Sequence, residues 1–138
     1  MRLEPLFRRG IYIVFAVLFV TGAAWLAADA MKDGASGERW QAIAANLLMV
    51  HGGAAMAVLL LLGALVPLHV ERGWRARRNR VTGATMVTFN AALILTAFGL
   101  YYFGSETLRP WASELHIGVG LALPVLLVVH IAVGRRSR

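Results

Sequence analysis

The chain has 138 residues, of which 59% are hydrophobic and 15% charged, with a formal net charge of +7 and a mean hydropathy of +0.66. Its charges lie between long apolar runs, which excludes an ordinary soluble domain and indicates a polytopic membrane protein. There is no cysteine, so a disulfide, an iron–sulfur cluster and thioether attachment of a c-type haem are all excluded.

Four apolar runs, Ile11 to Ala28, Ala44 to Val70, Val81 to Phe103 and Trp111 to Gly134, are each long enough to cross a hydrocarbon layer of about 30 Å. They predict an all-α integral membrane protein, an up-and-down four-helix bundle forming one domain over residues 1–138. The first three runs hold no Asp, Glu, Lys or Arg, and the fourth holds only Glu114, near its start.

The first run also has the look of a secretory signal, because Arg8 and Arg9 precede it and Ala28-Asp29-Ala30 offers small residues for cleavage. It exceeds the roughly 7 to 15 apolar residues of a signal core, so a retained helix is expected. The polar stretch Asp29 to Gln41, with Gly34 and Gly37, reads as a loop carrying a short interfacial turn. The second run contains His51, His69 and Gly63-x-x-x-Pro67, and a compact basic loop, Glu71 to Arg80, comes after it. The third run has no histidine. The link Gly104 to Pro110 is short enough to make the third and fourth helices antiparallel neighbours. The fourth run contains His116, His130 and Gly120-x-x-x-Pro124. In both Gly-x-x-x-Pro segments the proline removes a donor and crowds the carbonyl four residues earlier, so a local bend is expected.

Arginine and lysine placement orients the bundle. Arg2, Arg8, Arg9, the five arginines 72, 75, 77, 78 and 80, and Arg135, Arg136 and Arg138 account for eleven of the fourteen basic residues. Both termini are therefore expected in the cytoplasm, as in a multi-pass protein of a bacterial-type inner membrane. The positive charge reads as a topology signal and a contact with anionic membrane lipid, not as a nucleic-acid surface. Trp25, Trp40, Trp74 and Trp111 fall at the ends of the runs, where amphipathic rings sit at the membrane interface.

The four histidines carry the chemistry. From His51 to His69 is 18 residues, five whole α-helical turns, and from His116 to His130 is 14 residues, which closes to within about 40° of one face. Along an α-helix these steps span roughly 27 Å and 21 Å, too far for two members of one helix to share an ion. Topology pairs them across helices instead: His51 with His116 toward the outer surface, and His69 with His130 toward the cytoplasm. Facing neutral imidazoles suit both axial positions of low-spin haem iron, which leaves no open site for substrate and favours electron transfer. The missing cysteines require the haems to be non-covalent, two haem b groups. The intervening faces, Ala55, Val58, Leu62 and Leu65 after His51 and Gly120, Leu123 and Leu127 after His116, are apolar enough to pack macrocycles, and Gly120 spares a ring a steric clash. An intramembrane histidine also serves simply as a hydrogen-bonding group between helices. The unequal spacings and the neighbouring Pro67 make His69 the least secure ligand.

Leu115-His116-Ile117-Gly118-Val119-Gly120, with Val129-His130 further along, resembles the His-x13-His helices of four-helix di-haem b-type cytochromes, including bacterial cytochrome b561-like proteins and the core of quinol-oxidising cytochromes b. The 18-residue step in the second run departs from that pattern. The resemblance implies propionate contacts from Arg109 on the outer side and from Arg72 or Arg75 on the inner side.

The expected function is electron transfer across the membrane through two bis-histidine haems, as a subunit linking a quinone pool or cytoplasmic-side donor to an outer-side cytochrome or oxidoreductase. Two other readings stand beside it. One is a stand-alone quinol-linked oxidoreductase with Asn46, Asn90, Tyr101 or Tyr102 near a haem edge. The other is a non-redox scaffold or proton relay, made poorer by the lack of carboxylates deep in the spans.

Overall fold

The structure, a computed structural model, describes residues 4–136. It is all-helical among those residues: α1 (Pro5–Ala30), α2 (Gly37–Leu65), a π-helical turn (Val66–Val70), α3 (Glu71–Arg75), α4 (Arg80–Tyr102) and α5 (Leu108–Arg136). Four segments are long and apolar enough to cross a membrane, Pro5–Ala30, Gly37–Arg75, Arg80–Tyr102 and Leu108–Arg136. Three of them contain an expected span whole, and Arg80–Tyr102 holds all of the third but Phe103, which caps the helix in an extended conformation. Large side chains such as Leu60, Met56 and Val81 lie open on the helix surfaces, as suits contact with lipid. Arg2 and Arg138, two of the basic residues that bear on orientation, lie outside the described residues.

The helices form two compact units, Met1–His69 and Val70–Arg138. In the first, α1 packs along α2. Glu4 starts α1 by accepting the Phe7 amide proton at 2.8 Å, and Pro5, whose missing N–H is no loss at a first turn, comes next. The connection to α2 is shorter than the polar composition suggested, because the helices run on to Ala30 and restart at Gly37. Lys32 pairs with Asp29 at 2.8 Å in this turn, and the ion pair holds the lysine's pKa above its ordinary value. Gly37 is required here, since a Cβ would collide with the Lys32 carbonyl.

In the second unit α4 packs along α5. The basic segment before it is structured: the turn after α3 passes through left-handed conformations at Arg77 and Asn79, with φ of 56° and 49°. Arg80 closes it, donating to the Trp74 carbonyl at 2.9 and 3.2 Å and lying 4.9 Å from the centre of the Trp74 ring. At the other end, Ser105 Oγ accepts from the Thr107 and Leu108 amides at 3.3 and 3.2 Å and starts α5.

The two Gly-x-x-x-Pro segments differ in outcome. α5 continues as an α-helix through Pro124, whereas α2 gives way to the π-helical turn containing Pro67 and His69. Leu123, beside Pro124, is buried at 8% exposure, while Pro67 and Leu68 are exposed. The antiparallel register fixed by Thr21 and His51 brings Pro5, the first residue of α1, level with Pro67. The donor lost at proline is accommodated by a wider turn. That turn takes up about one extra residue and rotates the residues beyond it by up to about 100°. The five-turn arithmetic from His51 assumes an unbroken α-helix, and the π-helical turn interrupts that helix before His69.

Candidate functional site

All four histidines are half-buried. Three of them present Nδ1 to a threonine on the helix packed against their own. Thr21 Oγ1 of α1 is 3.0 Å from His51 Nδ1 of α2. Thr96 Oγ1 of α4 is 2.9 Å from His116 Nδ1 of α5, and Thr82 Oγ1 of α4 is 3.0 Å from His130 Nδ1. Thr21 and Thr96 are the buried polar side chains among the described residues, each 8% exposed.

The direction of two of these bonds follows from the hydroxyl's single proton. Thr21 Oγ1 lies 2.6 Å from the Val17 carbonyl oxygen, and Thr96 Oγ1 lies 2.7 Å from that of Ala92. A carbonyl only accepts, and two oxygens this close need a proton between them, so each threonine donates back to its own helix. The remaining lone pairs accept, and the imidazole is the donor: Nδ1–H to Thr Oγ1. In a neutral ring the lone pair then resides on Nε2. At Thr82 the commitment is weaker, since its hydroxyl is 3.4 Å from the Asn79 carbonyl.

The second unit is built on a matched register. Thr82 and Thr96 are separated by the same 14 residues as His116 and His130, so antiparallel α4 and α5 place one threonine opposite each histidine. The sequence carries this signal as Thr-x13-Thr opposite His-x13-His, but threonine is an ordinary component of apolar helices and does not stand out there. A second signal is the dipeptide Thr-Gly at 21–22 and at 82–83. A Cβ on Gly22 would stand 3.3 Å from His51 Cε1, and one on Gly83 would stand 4.0 Å from His130 Cε1. Gly22 thus makes room for the imidazole edge, and Gly83 has space to spare.

The apolar faces between histidines have a nearer occupant than expected. Val58 and Leu123, each 8% exposed, are buried within the respective hairpins, and the Cβ direction of Gly120 meets Leu93 Cδ2 of α4 at 3.8 Å. His69 stands in the π-helical turn, six residues before the end of α3, and His130 is six residues before the end of α5.

Other expected residues take structural partners. Asn90 Nδ2 donates to the Met86 carbonyl of its own helix at 2.8 Å. Tyr102 stacks on Phe98 with ring centres 4.6 Å apart, and both Tyr101 and Tyr102 are 73% exposed. Arg75 approaches Glu71 at 3.6 Å on an exposed surface, worth little by itself. Arg72, Arg109 and Asn46 are exposed.

No group of three or more His, Cys, Asp or Glu side chains able to hold a metal ion occurs among the described residues. A zinc-like cluster needs three or four protein ligands together. A haem iron needs only two axial ligands, and a neutral imidazole with its Nδ1 proton held and its lone pair on Nε2 is a suitable one. The donor chemistry at His51 and His116 fits that group. Comparison with protein-family models, with characterised proteins and with solved structures finds no match to this chain.

Proposed function

We propose that this protein carries electrons across a membrane by holding two non-covalent b-type haems. The observation that supports it is the set of threonine bonds to histidine Nδ1 inside apolar helices, which at His51 and His116 leaves Nε2 as the nitrogen with a lone pair. An acceptor behind a ligating imidazole fixes the ring and raises its strength as a ligand. When bound, the haem would supply a one-electron couple, with the histidines holding it.

The protein's own residues orient and enclose. His51 with His116 would hold one haem, and His69 with His130 the other, an assignment that follows from the levels set by topology. In this reading both termini face the cytoplasm of a bacterial-type inner membrane, and the four spans close into an up-and-down bundle. His51 and His116 are then nearer the outer surface, and His69 and His130 nearer the basic loop. Nothing in the chain supplies a nucleotide or flavin motif, so electrons enter from a quinone pool or a cytoplasmic-side donor and leave to an outer-side redox subunit. Arg109 and the Arg72–Arg75 pair are placed at the ends of the spans, where basic groups meet propionates or lipid headgroups.

A reduced-minus-oxidised visible spectrum with a pyridine haemochrome count tests this. The expected result is two b-type haems per chain. Well-folded protein that contains none would overturn the proposal, and one haem per chain would remove the His69–His130 pair from it.

A further inference from the structure

We infer that Thr21 and Thr96 are positioning residues which hold His51 and His116 in the Nδ1–H tautomer, so that Nε2 is the coordinating atom. The inference rests on the electron-carrier reading for the identity of the metal group, but the tautomer claim stands on geometry alone. Each hydroxyl is a relay with one free direction. Its proton goes to the carbonyl four residues earlier, Val17 at 2.6 Å or Ala92 at 2.7 Å, and its oxygen then faces the ring as an acceptor only.

Two alternatives fail. If the threonine donated to the histidine, its oxygen would face a carbonyl oxygen at 2.6 or 2.7 Å with no proton between them. If the imidazole were doubly protonated, it would carry a full charge within an apolar span, at a desolvation cost that the neutral ring does not incur. The neutral Nδ1–H ring satisfies all three atoms of the relay.

The same logic ranks the histidines. Thr82 meets the His130 Nδ1 at 3.0 Å, but its hydroxyl lies 3.4 Å from the Asn79 carbonyl. Its proton is not committed, so it constrains the tautomer of His130 less than Thr21 and Thr96 constrain their rings. Gly22 adds a steric limit at His51, where a Cβ would stand 3.3 Å from Cε1.

The test uses the full chain in lipid bilayers with 15N-labelled histidine, read by ring-nitrogen NMR in the haem-free and ferrous states, beside haem affinity. Wild-type protein is expected to show protonated Nδ1 at His51 and His116. Thr21→Val should disturb only the His51 ring and Thr96→Val only the His116 ring. Each should weaken binding of the same haem by about 10- to 100-fold, with Thr→Ser restoring both readouts. Thr85→Val is the control, since that hydroxyl bonds the Val81 carbonyl of its own helix at 2.9 Å, and it should change neither readout. Protonated Nε2 in the wild type, or ring signals indifferent to both valine variants, would overturn the inference. Threonine-dependent Nδ1 protonation in protein that binds no haem would overturn the electron-carrier reading and leave the positioning role intact.

Discussion

The two hairpins support their histidines unequally. In the second, Thr82 and Thr96 on α4 match His130 and His116 on α5 with one 14-residue step on both sides. In the first, α1 gives Thr21 to His51, but the second histidine is not carried on an unbroken α-helix. His69 lies instead in a π-helical turn. Where both facing helices stay α-helical, a threonine of one meets an imidazole of the other.

The strongest way to break this comparison is to remove the rings. His51→Ala and His116→Ala should each abolish the same haem, leaving one per chain, and His130→Ala should abolish the other. His69→Ala is the discriminating member: loss of the haem shared with His130 upholds the proposed pairing, whereas retention of two would show that the π-helical turn supplies no ligand. The threonine variants come next, with an affinity loss of about 10- to 100-fold for Thr21→Val and Thr96→Val and a smaller one for Thr82→Val.

Pro67→Ala should act more gently. Restoring the amide donor favours an unbroken α-helix and turns His69 by up to about 100° relative to the present turn. The spectrum of the haem proposed at His69 and His130 should change while that of the haem proposed at His51 and His116 does not, and Pro124→Ala should leave both alone. Glycine replacements give a finer contrast. Gly22→Ala crowds the His51 ring and should cost about 1 kcal/mol in stability, measured by thermal unfolding in detergent, while Gly83→Ala should be near neutral because its Cβ would sit 4.0 Å from the His130 ring.

The smallest effect concerns the start of α1. The Phe7 amide bonded to Glu4 holds that carboxyl below its ordinary value of 4.5. Its contribution is complete above that value and is lost as pH falls through the lower folded one. Amide exchange at Phe7 should therefore quicken, relative to the helix interior, only in that acid range, and Glu4→Gln should remove the dependence.

The helices were legible from apolar run length alone, because a bilayer allows few other structures. The histidines stood out as rare polar rings within those runs. Chemistry shared with ordinary membrane helices hid the rest. A threonine in a span bonds its own helix wherever it sits, as Thr85 does, and only the opposing register reveals that Thr21 and Thr96 also face an imidazole. Periodicity also could not foresee the turn at Pro67, since the same Gly-x-x-x-Pro spelling leaves α5 continuous.

Ligation of b-type haem by imidazole Nε2 atoms within these hairpins is the proposition on which the rest depends. Low-temperature electron paramagnetic resonance of the oxidised full chain reads that ligation directly. Low-spin ferric signals from two bis-imidazole haems are expected, with the His51→Ala and His116→Ala variants losing the same one. High-spin signals alone, or folded protein without a haem signal, would contradict it.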